Sequence, residues 1–224
     1  MFKIFLFMFL TSAIFAQESG LKPHNIYVAY AIAQTSVESD KIFESEPMKN
    51  ILGGDSIRQE LEIGWNFQDN GYRYQPFLYG WFNDKNKYNE KGAGVGLNFH
   101  TKEMQSIPIR ILFTVAAGIG FQSNNGARVT TSTNVTNISY VTGGSIQTGT
   151  FEGTFQKDTE VIEINLGVGF VYDITQSIYF TTEYKYIQKY YNFHYVLDGA
   201  TTGMALSGIE QSNHNFQIGL TYVF

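Results

Sequence analysis

The chain of 224 residues contains no cysteine. Disulfide scaffolds, zinc sites built on thiolates and cysteine nucleophiles are therefore excluded. Charged residues are also scarce, at 16%, where an average globular protein has about a quarter. The net charge of −5 provides no basic surface, so nucleic acid is not an expected partner. Only four prolines interrupt a chain that is 43% hydrophobic, which argues against a disordered protein.

Long apolar runs are missing as well. Beyond the N-terminal segment, the longest apolar stretch is 111–121, where threonine and glycines interrupt ILFTVAAGIGF. A membrane-spanning helix needs about 20 apolar residues, so no such helix is predicted. The first 16 residues, MFKIFLFMFLTSAIFA, instead have the layout of a secretory signal peptide, with Lys3 before an apolar run and small residues leading to Ala16. We expect cleavage after Ala16 and a mature domain over 17–224.

What the chain does have is a period of two. In 216–224, FQIGLTYVF, apolar residues at every second position alternate with residues that are mostly small or polar. A β-strand sends alternate side chains to opposite faces, so one face of this strand is wholly apolar. Pro76 and the apolar run after it leave the facing of one further strand, 72–83, open. The other strands are predicted near 26–33, 57–67, 93–99, 109–121, 162–172 and 178–186.

Eight strands of this kind in an exported chain predict a barrel in the bacterial outer membrane. The clear alternations hold for about 9–11 residues or slightly more, the length that a tilted strand needs to cross a bilayer. Hydrocarbon offers no water to an open sheet edge, so the sheet must close on itself. We therefore expect an all-β fold for 17–224, an eight-stranded antiparallel transmembrane β-barrel with apolar side chains facing lipid.

Connection lengths predict the orientation of this barrel. The links 68–71, 100–106 and 173–177 are short and are expected in the periplasm together with both termini. The longer links are expected to be extracellular loops; they are 34–56, 83–92, 122–160 and 187–213.

The C-terminal strand resembles the signature that the barrel assembly machinery reads on outer-membrane barrels. Its members are Phe216, Ile218, Leu220, Tyr222 and Phe224. In size and strand number the chain is similar to the small barrels of the OmpA, OmpX and opacity type. This resemblance implies the fold, an outer-membrane location, and the assembly machinery, outer-membrane lipid and lipopolysaccharide as partners. It implies no particular activity.

Charged residues fall on the predicted inward face. They are Arg58, Glu60, Glu62, Arg73, Arg110, Glu163, Glu183 and Lys185. Eight strands enclose a space barely wide enough for their own side chains, and an unpaired buried charge is very costly. We therefore expect these four cations and four anions to pair into a network that plugs the lumen. The alternative, a narrow porin-like channel, would need an excess of one sign or a continuous column of water.

Histidine chemistry is weakly indicated. His24 and His100 lie at periplasmic strand ends and are expected to be solvated. His194 and His214 flank the fourth long loop near Ser207 and several acidic residues, a set from which a lipid A-modifying enzyme or a protease could build a triad. A histidine–any–serine spacing, associated with lipid A deacylases, is absent after every histidine. We therefore expect no enzyme.

The third long loop is the most distinctive outer segment. Residues 127–155 are rich in Thr, Ser, Asn and Gly, and Gly143-Gly144 could form a turn. They predict a hairpin that extends beyond the membrane, and such an edge can bind partners by strand addition. In the first loop, Asp40, Glu44 and Glu46 lack the spacing of a calcium loop, so no metal or cofactor is expected. A structural or surface-interaction role follows, with adhesion to a host or surface ligand through loops one and three as its sharpest form.

Overall fold

The computed structural model describes residues 23–38, 56–84, 89–104, 107–133, 149–198 and 204–224. The predicted signal peptide and the acidic residues of the first loop lie outside them. Within these ranges there is no helix long and apolar enough to cross a bilayer. The strands are β1 Pro23–Glu38, β2 Ser56–Asp69, β3 Tyr72–Asp84, β4 Glu90–His100, β5 Ile109–Gln122, β6 Arg128–Thr133, β7 Gly149–Phe155, β8 Thr159–Asp173, β9 Ile178–Leu197 and β10 Met204–Val223.

Eight of these strands close into a barrel. Antiparallel neighbours follow the order β1, β2, β3, β4, β5, β8, β9 and β10, and β10 pairs back with β1. The closing register runs from Tyr27 opposite Val223 to Glu38 opposite Ser212, so the first and last strands pair over most of their shared length. A barrel closed in this way leaves no open sheet edge for hydrocarbon to desolvate. The predicted eight-stranded antiparallel barrel is confirmed.

The outside of the barrel is an apolar belt. Large aliphatic and aromatic side chains point away from the lumen at alternate positions and are between 38% and 56% exposed. A contiguous apolar surface of this extent would promote aggregation in water, whereas it is compatible with contact to lipid acyl chains. The belt includes Ile26, Ile32, Ile57, Leu61, Ile63, Leu78, Leu97, Phe113, Val115, Ile119, Ile164, Leu166, Val168, Phe170, Ile218 and Leu220.

Aromatic rings gather at one end of this belt, the end that carries the C-terminus and the β2–β3 turn; we call it the turn end. The rings of Tyr72 and Phe99 lie 5.8 Å apart, and those of Tyr222 and Phe224 lie 4.8 Å apart. Amphipathic rings prefer the headgroup level of a bilayer. The turn end therefore has the character of a membrane interface. The five residues of the C-terminal signature point outward along the last strand, and each is exposed. Their recognition by the assembly machinery stays a prediction.

The links at the turn end are short. Asn70 and Gly71 have φ angles of 49° and 87°, the two-residue hairpin turn that Asn-Gly favours. The other links at this end are 101–108 and 174–177. At the opposite end, which we call the hairpin end, β9 and β10 are 20 residues long each. Most of the loop predicted over 187–213 is therefore strand. The alternation continues there, but with tyrosines and polar residues instead of an aliphatic face.

The two remaining strands extend the barrel wall at the hairpin end. β6 pairs with β7, and β7 pairs with the end of β9 from Gly153 opposite Leu197 to Phe155 opposite Tyr195. Together with the ends of β9 and β10 they form a four-stranded extension of the barrel wall, which we call the projecting sheet. The predicted hairpin within 127–155 is present in this sheet, outside the barrel itself.

Candidate functional site: the barrel interior

One side of the lumen is filled by aromatic rings from β3. Phe77, Tyr79 and Trp81 point inward and are buried, which settles the facing that the sequence left open. The rings of Tyr79 and Trp81 are stacked with their centres 5.5 Å apart, and Phe77 meets Tyr79 edge-on at 5.8 Å. They form a continuous aromatic column along the barrel axis.

Glycines on β4 and β5 make room for this column. A Cβ atom added to Gly92 would lie 2.2 Å from the Trp81 ring, and one added to Gly94 would lie 2.5 Å from the Tyr79 ring. The other glycines in contact with the column are Gly96, Gly118 and Gly120. The alternating glycines of β4 and β5 therefore let the rings pack directly against the strand backbone. We call β3, β4 and β5 together the packed wall.

Arg58 on β2 connects this wall to the charged part of the interior. Its guanidinium donates to Glu60 Oε2 at 2.9 Å and makes a bidentate contact with Glu163 on β8, at 2.8 and 3.0 Å. Bidentate arginine–carboxylate contacts are the strong form of this pair. The guanidinium also lies 5.1 Å from the centre of the Trp81 ring, and the Tyr79 hydroxyl donates to Glu163 at 3.0 Å. The Arg58–Glu163 ion pair and the aromatic column are thus in direct contact across the lumen.

Lys185 on β9 contacts three carboxylates unequally. Its Nζ donates to Glu60 Oε1 at 2.5 Å. The same Nζ is 3.8 Å from Glu62 and 3.6 Å from Glu183. Glu60 is therefore the partner of Lys185, while Glu62 and Glu183 are held by long contacts only.

Two further charged residues complete the network. Lys189 on β9 donates to Glu90 at the start of β4, and its Nζ lies 3.9 Å from Glu163. The Tyr191 hydroxyl also donates to Glu90, at 3.0 Å. Both residues fall outside the strands predicted from the sequence, because the predicted strand 93–99 begins after Glu90 and the predicted strand 178–186 ends before Lys189. Parity with Lys185 along β9, and with Asn98 along β4, would have placed them inside.

We call this buried group the central charge network. Its members are Arg58, Glu60, Glu62, Glu90, Glu163, Glu183, Lys185 and Lys189. It contains three cations and five carboxylates, whereas equal numbers were expected. The difference arises because Arg73 and Arg110 belong to another cluster.

That second cluster closes the turn end. Arg73 makes a bidentate contact with Asp173 at 2.8 Å for both bonds, and Arg110 donates to the same carboxylate at 3.1 Å. Arg110 also donates to Glu103 at 2.6 Å. His100 lies beside these arginines and is buried, so the expectation that it is solvated is wrong. It occupies an inward position of β4, where strand parity rather than nearness to the turn decides exposure.

The wall formed by β10 and β1 differs from the packed wall; we call it the amide wall. Asn213, Asn215 and Gln217 point inward along β10, opposite small side chains on β1, and all three are buried. Their facing residues include Ala33 and Thr35. Within the described ranges, both amide atoms of the two asparagines and Oε1 of Gln217 have no hydrogen-bond partner.

At the hairpin end the interior becomes aromatic again. The rings of Tyr191 and Phe193 on β9 are stacked at 5.8 Å with an angle of 11° between their planes. Phe155 of β7 lies 6.0 Å from Phe193 and 6.5 Å from Tyr195. All four side chains are buried. They hold the projecting sheet to the barrel.

The surface of the projecting sheet carries an ion triad. Exposed Arg128 on β6 donates to Glu152 on β7 at 2.7 Å and to Asp198 beyond β9. These hydrogen bonds raise the pKa of Arg128. Nearby, a hydrogen bond from Lys157 lowers the pKa of Glu160. Exposed pairs of this kind contribute little to stability, but they fix the relative positions of the strands that carry them.

Of the two histidine candidates, His214 contacts a tyrosine, whereas Nδ1 of His194 has no hydrogen-bond partner among the described residues. His214 Nδ1 lies 2.5 Å from the Tyr184 hydroxyl on the outer face of the barrel. Ser212 lies 2.9 Å from the Tyr186 hydroxyl. The side chain of Ser207 lies outside the described residues. Among the residues that are described, no group of three or more His, Asp or Glu side chains has the geometry of a metal site.

Comparison with known proteins gives structural likeness only. No protein-family model matches the chain, and no curated protein matches it. Neisserial surface protein A is 13% identical with a TM-score of 0.45, covering 89% of this chain and 97% of its own. The attachment invasion locus protein Ail of Yersinia pestis is 11% identical with a TM-score of 0.41, covering 89% and 99%. Outer membrane protein AlkL is 12% identical with a TM-score of 0.43, covering 89% and 90%.

With TM-scores below 0.5, the fold assignment depends on the strand pairing and surface of this chain alone. Those are sufficient. A closed eight-stranded antiparallel barrel with an outward apolar belt and an inward polar network is the architecture of the small outer-membrane β-barrels. The chain has that fold and is an outer-membrane protein.

Proposed function

We propose that the protein acts at the cell surface by binding a partner through the projecting sheet, and that its lumen is not an open pore. The observation that carries this proposal is the length of β9 and β10. Each has 20 residues, about twice the 9–11 that a tilted strand needs to cross a bilayer. The surplus residues, with β6 and β7, form a sheet beyond the membrane that the buried aromatic cluster at Phe155 and Phe193 holds in place.

Two features favour a binding role for this sheet. β6 is the last strand of the sheet among the described residues, so its outer backbone groups are available for strand addition. The Arg128 triad joins β6, β7 and the end of β9 into one surface, which reduces the entropy that binding must overcome. The orientation is part of the proposal. The short links at the turn end favour the periplasm for that end and for both termini.

Replacement of 129–153 by a short Gly-Ser turn tests this role. The change keeps Arg128 and Phe155 and leaves the barrel strands intact. Cells of a non-adherent Gram-negative strain that display the variant should lose adhesion to epithelial cells and to cells displaying the same protein. The matched control replaces 85–88, the link between β3 and β4, and should adhere like wild type. Both variants should remain heat-modifiable in electrophoresis, which shows a folded barrel.

Adhesion by the 129–153 variant equal to wild type would contradict the proposal, as would a wild type that does not adhere. Protease treatment of intact cells tests the orientation in the same preparation. Cleavage should fall within 128–155, and cleavage confined to 101–108 would reverse the orientation.

A narrow channel is the second candidate, and the amide wall favours it. Small side chains on β1 and unpaired amides on β10 provide a polar track beside the ion pairs. The aromatic column and the turn-end cluster favour closure. Purified protein in a planar bilayer separates the two: we expect no discrete conductance steps, and steps that change on Asn215→Leu would support the channel.

We also propose that the protein is not an enzyme. His214 contacts Tyr184, and Ser212 contacts Tyr186, so neither side chain is directed at the other as a nucleophile and its base would be. Lipid A from cells that express the protein should have an unchanged mass. A mass change that disappears in His214→Ala would establish the enzyme instead.

A further inference from the structure

A cavity of about 30 Å³ lies within the lumen, where the central charge network approaches the turn end. Its lining includes Glu62 and Glu183 from the network and His100 from the turn-end cluster. A single water molecule needs about 10–15 Å³ on this measure. The cavity therefore has room for one or two waters or for one ion with a water.

The lining offers oxygen ligands. Glu62 and Glu183 contribute carboxylates, Gln217 an amide oxygen, and Thr181 and Thr221 hydroxyls. Oε1 of Glu183 and Oε1 of Gln217 have no hydrogen-bond partner among the described residues, although both side chains are only 4% exposed. Since buried acceptors are nearly always paired, these two oxygens indicate a ligand that the protein itself does not supply.

The charges at the cavity point to the sign of that ligand. Three carboxylates of the central charge network have a close cationic partner; the pairs are Arg58 with Glu163, Lys185 with Glu60, and Lys189 with Glu90. Glu62 and Glu183 are left over, and both line the cavity. Glu62 accepts only long hydrogen bonds, from Tyr27 at 3.4 Å and from Asn98 at 3.3 Å. The nearest cation to both is Lys185, at 3.8 and 3.6 Å, and its close partner is Glu60. The network therefore has two more carboxylates than cations, and a buried excess of negative charge is costly, so further positive charge is expected beside Glu62 and Glu183.

We propose that this cavity binds one divalent cation between the carboxylates of Glu62 and Glu183, with the Gln217 amide oxygen as a further ligand. Oxygen-only ligands select a hard cation. Calcium accepts irregular sets of six to eight oxygens, whereas magnesium requires a near-ideal octahedron and releases its waters reluctantly. The site therefore prefers calcium. One such ion balances the two surplus negative charges of the network.

Metal content after refolding tests the proposal. The exported protein is purified in detergent, unfolded with a chelator, refolded with calcium or magnesium, desalted and analysed by mass spectrometry for bound metal. We expect about one calcium per chain in the wild type and little magnesium. Glu62→Gln and Glu183→Gln should each lose calcium affinity by more than the roughly 10–100-fold that an outer-shell change costs. Glu210→Gln, which alters an exposed carboxylate on β10, is the matched control and should bind like wild type.

A second readout does not depend on the folding of those variants. Tyr27 also lines the cavity, so its excited ring should sensitise emission from terbium, a calcium substitute, bound in wild type. Calcium should displace this signal, and Gln217→Met should weaken it. A wild type that refolds without metal would overturn the proposal, because two protons would then provide the balance. Calcium retained by both glutamine variants, or a terbium signal that calcium does not displace, would overturn it as well.

Discussion

The packed wall and the amide wall enclose the same lumen by different means. Along the packed wall, the aromatic column from β3 lies directly on backbone, because glycines at alternate positions of β4 and β5 remove the side chains that would collide with it. Along the amide wall, β1 contributes alanines, and β10 contributes Asn213, Asn215 and Gln217, five of whose polar atoms have no hydrogen-bond partner within the described chain. One wall is filled by aromatic rings packed on backbone, and the other is lined by small side chains and amides.

This difference explains where the ionic groups lie. Arg58 is held over Trp81 and by Glu163, next to the aromatic column, and its contacts are short. Glu62 and Glu183 lie toward the amide wall, and their contacts are long. Charges packed against the aromatic column must be paired by protein groups, whereas charges that line a cavity can be balanced by water or a bound ion.

The largest effect is expected for Arg58→Ala. Removing this guanidinium leaves the buried carboxylates of Glu163 and Glu60 with weaker charge compensation, and such a loss costs about 3–5 kcal/mol in the free energy of unfolding. Urea titration of the barrel in lipid vesicles measures it. Arg128→Ala, which breaks the exposed triad, is the control and should leave the free energy of unfolding nearly unchanged. Equal effects in the two variants would show that the interior is not a low-dielectric region.

A medium effect is expected for Gly94→Ala. The added Cβ would lie 2.3 Å from the Ala117 carbonyl oxygen and 2.5 Å from the Tyr79 ring, so strand or ring must shift. Overpacking of this kind costs about 1–3 kcal/mol. Gly80→Ala on the neighbouring strand is matched to it, because its Cβ would meet nothing closer than 3.7 Å. Urea titration should show a larger loss in the free energy of unfolding for Gly94→Ala than for Gly80→Ala. A similar loss in both variants would mean that the aromatic column is loosely packed.

The period-two pattern was sufficient to predict the fold, but not the extent of every strand. In 187–197 the inward positions carry Tyr191 and Phe193 and the outward ones are polar, so the aliphatic signal disappears while the strand continues. Lys189 was missed with this strand end, and Glu90 was missed because the predicted strand 93–99 starts too late. The expected balance of charges was wrong for the same reason, and because the sequence cannot show that Arg73 pairs with Asp173 at the turn end.

The aromatic column was visible in the sequence only as two unrelated patterns. Phe77, Tyr79 and Trp81 alternate on one strand, and Gly92, Gly94 and Gly96 alternate on the next. Their contact depends on the register that places Phe77 opposite Gly96 and Trp81 opposite Gly92. A single strand pattern does not contain that register, since it is fixed by the pairing of two strands.

The smallest effect is expected for Asn215→Leu on the amide wall, and Asn98→Leu on the packed wall is its matched partner. Asn98 accepts a hydrogen bond from the Thr114 hydroxyl at 2.7 Å and donates to Glu62. Its loss leaves buried partners unpaired and should cost about 1–3 kcal/mol. Asn215 has no protein partner among the described residues, so its replacement should change the free energy of unfolding by less than about 1 kcal/mol. A larger cost at Asn215 than at Asn98 would reverse the comparison of the two walls, because it would mean that the amides of β10 are the better-bonded set.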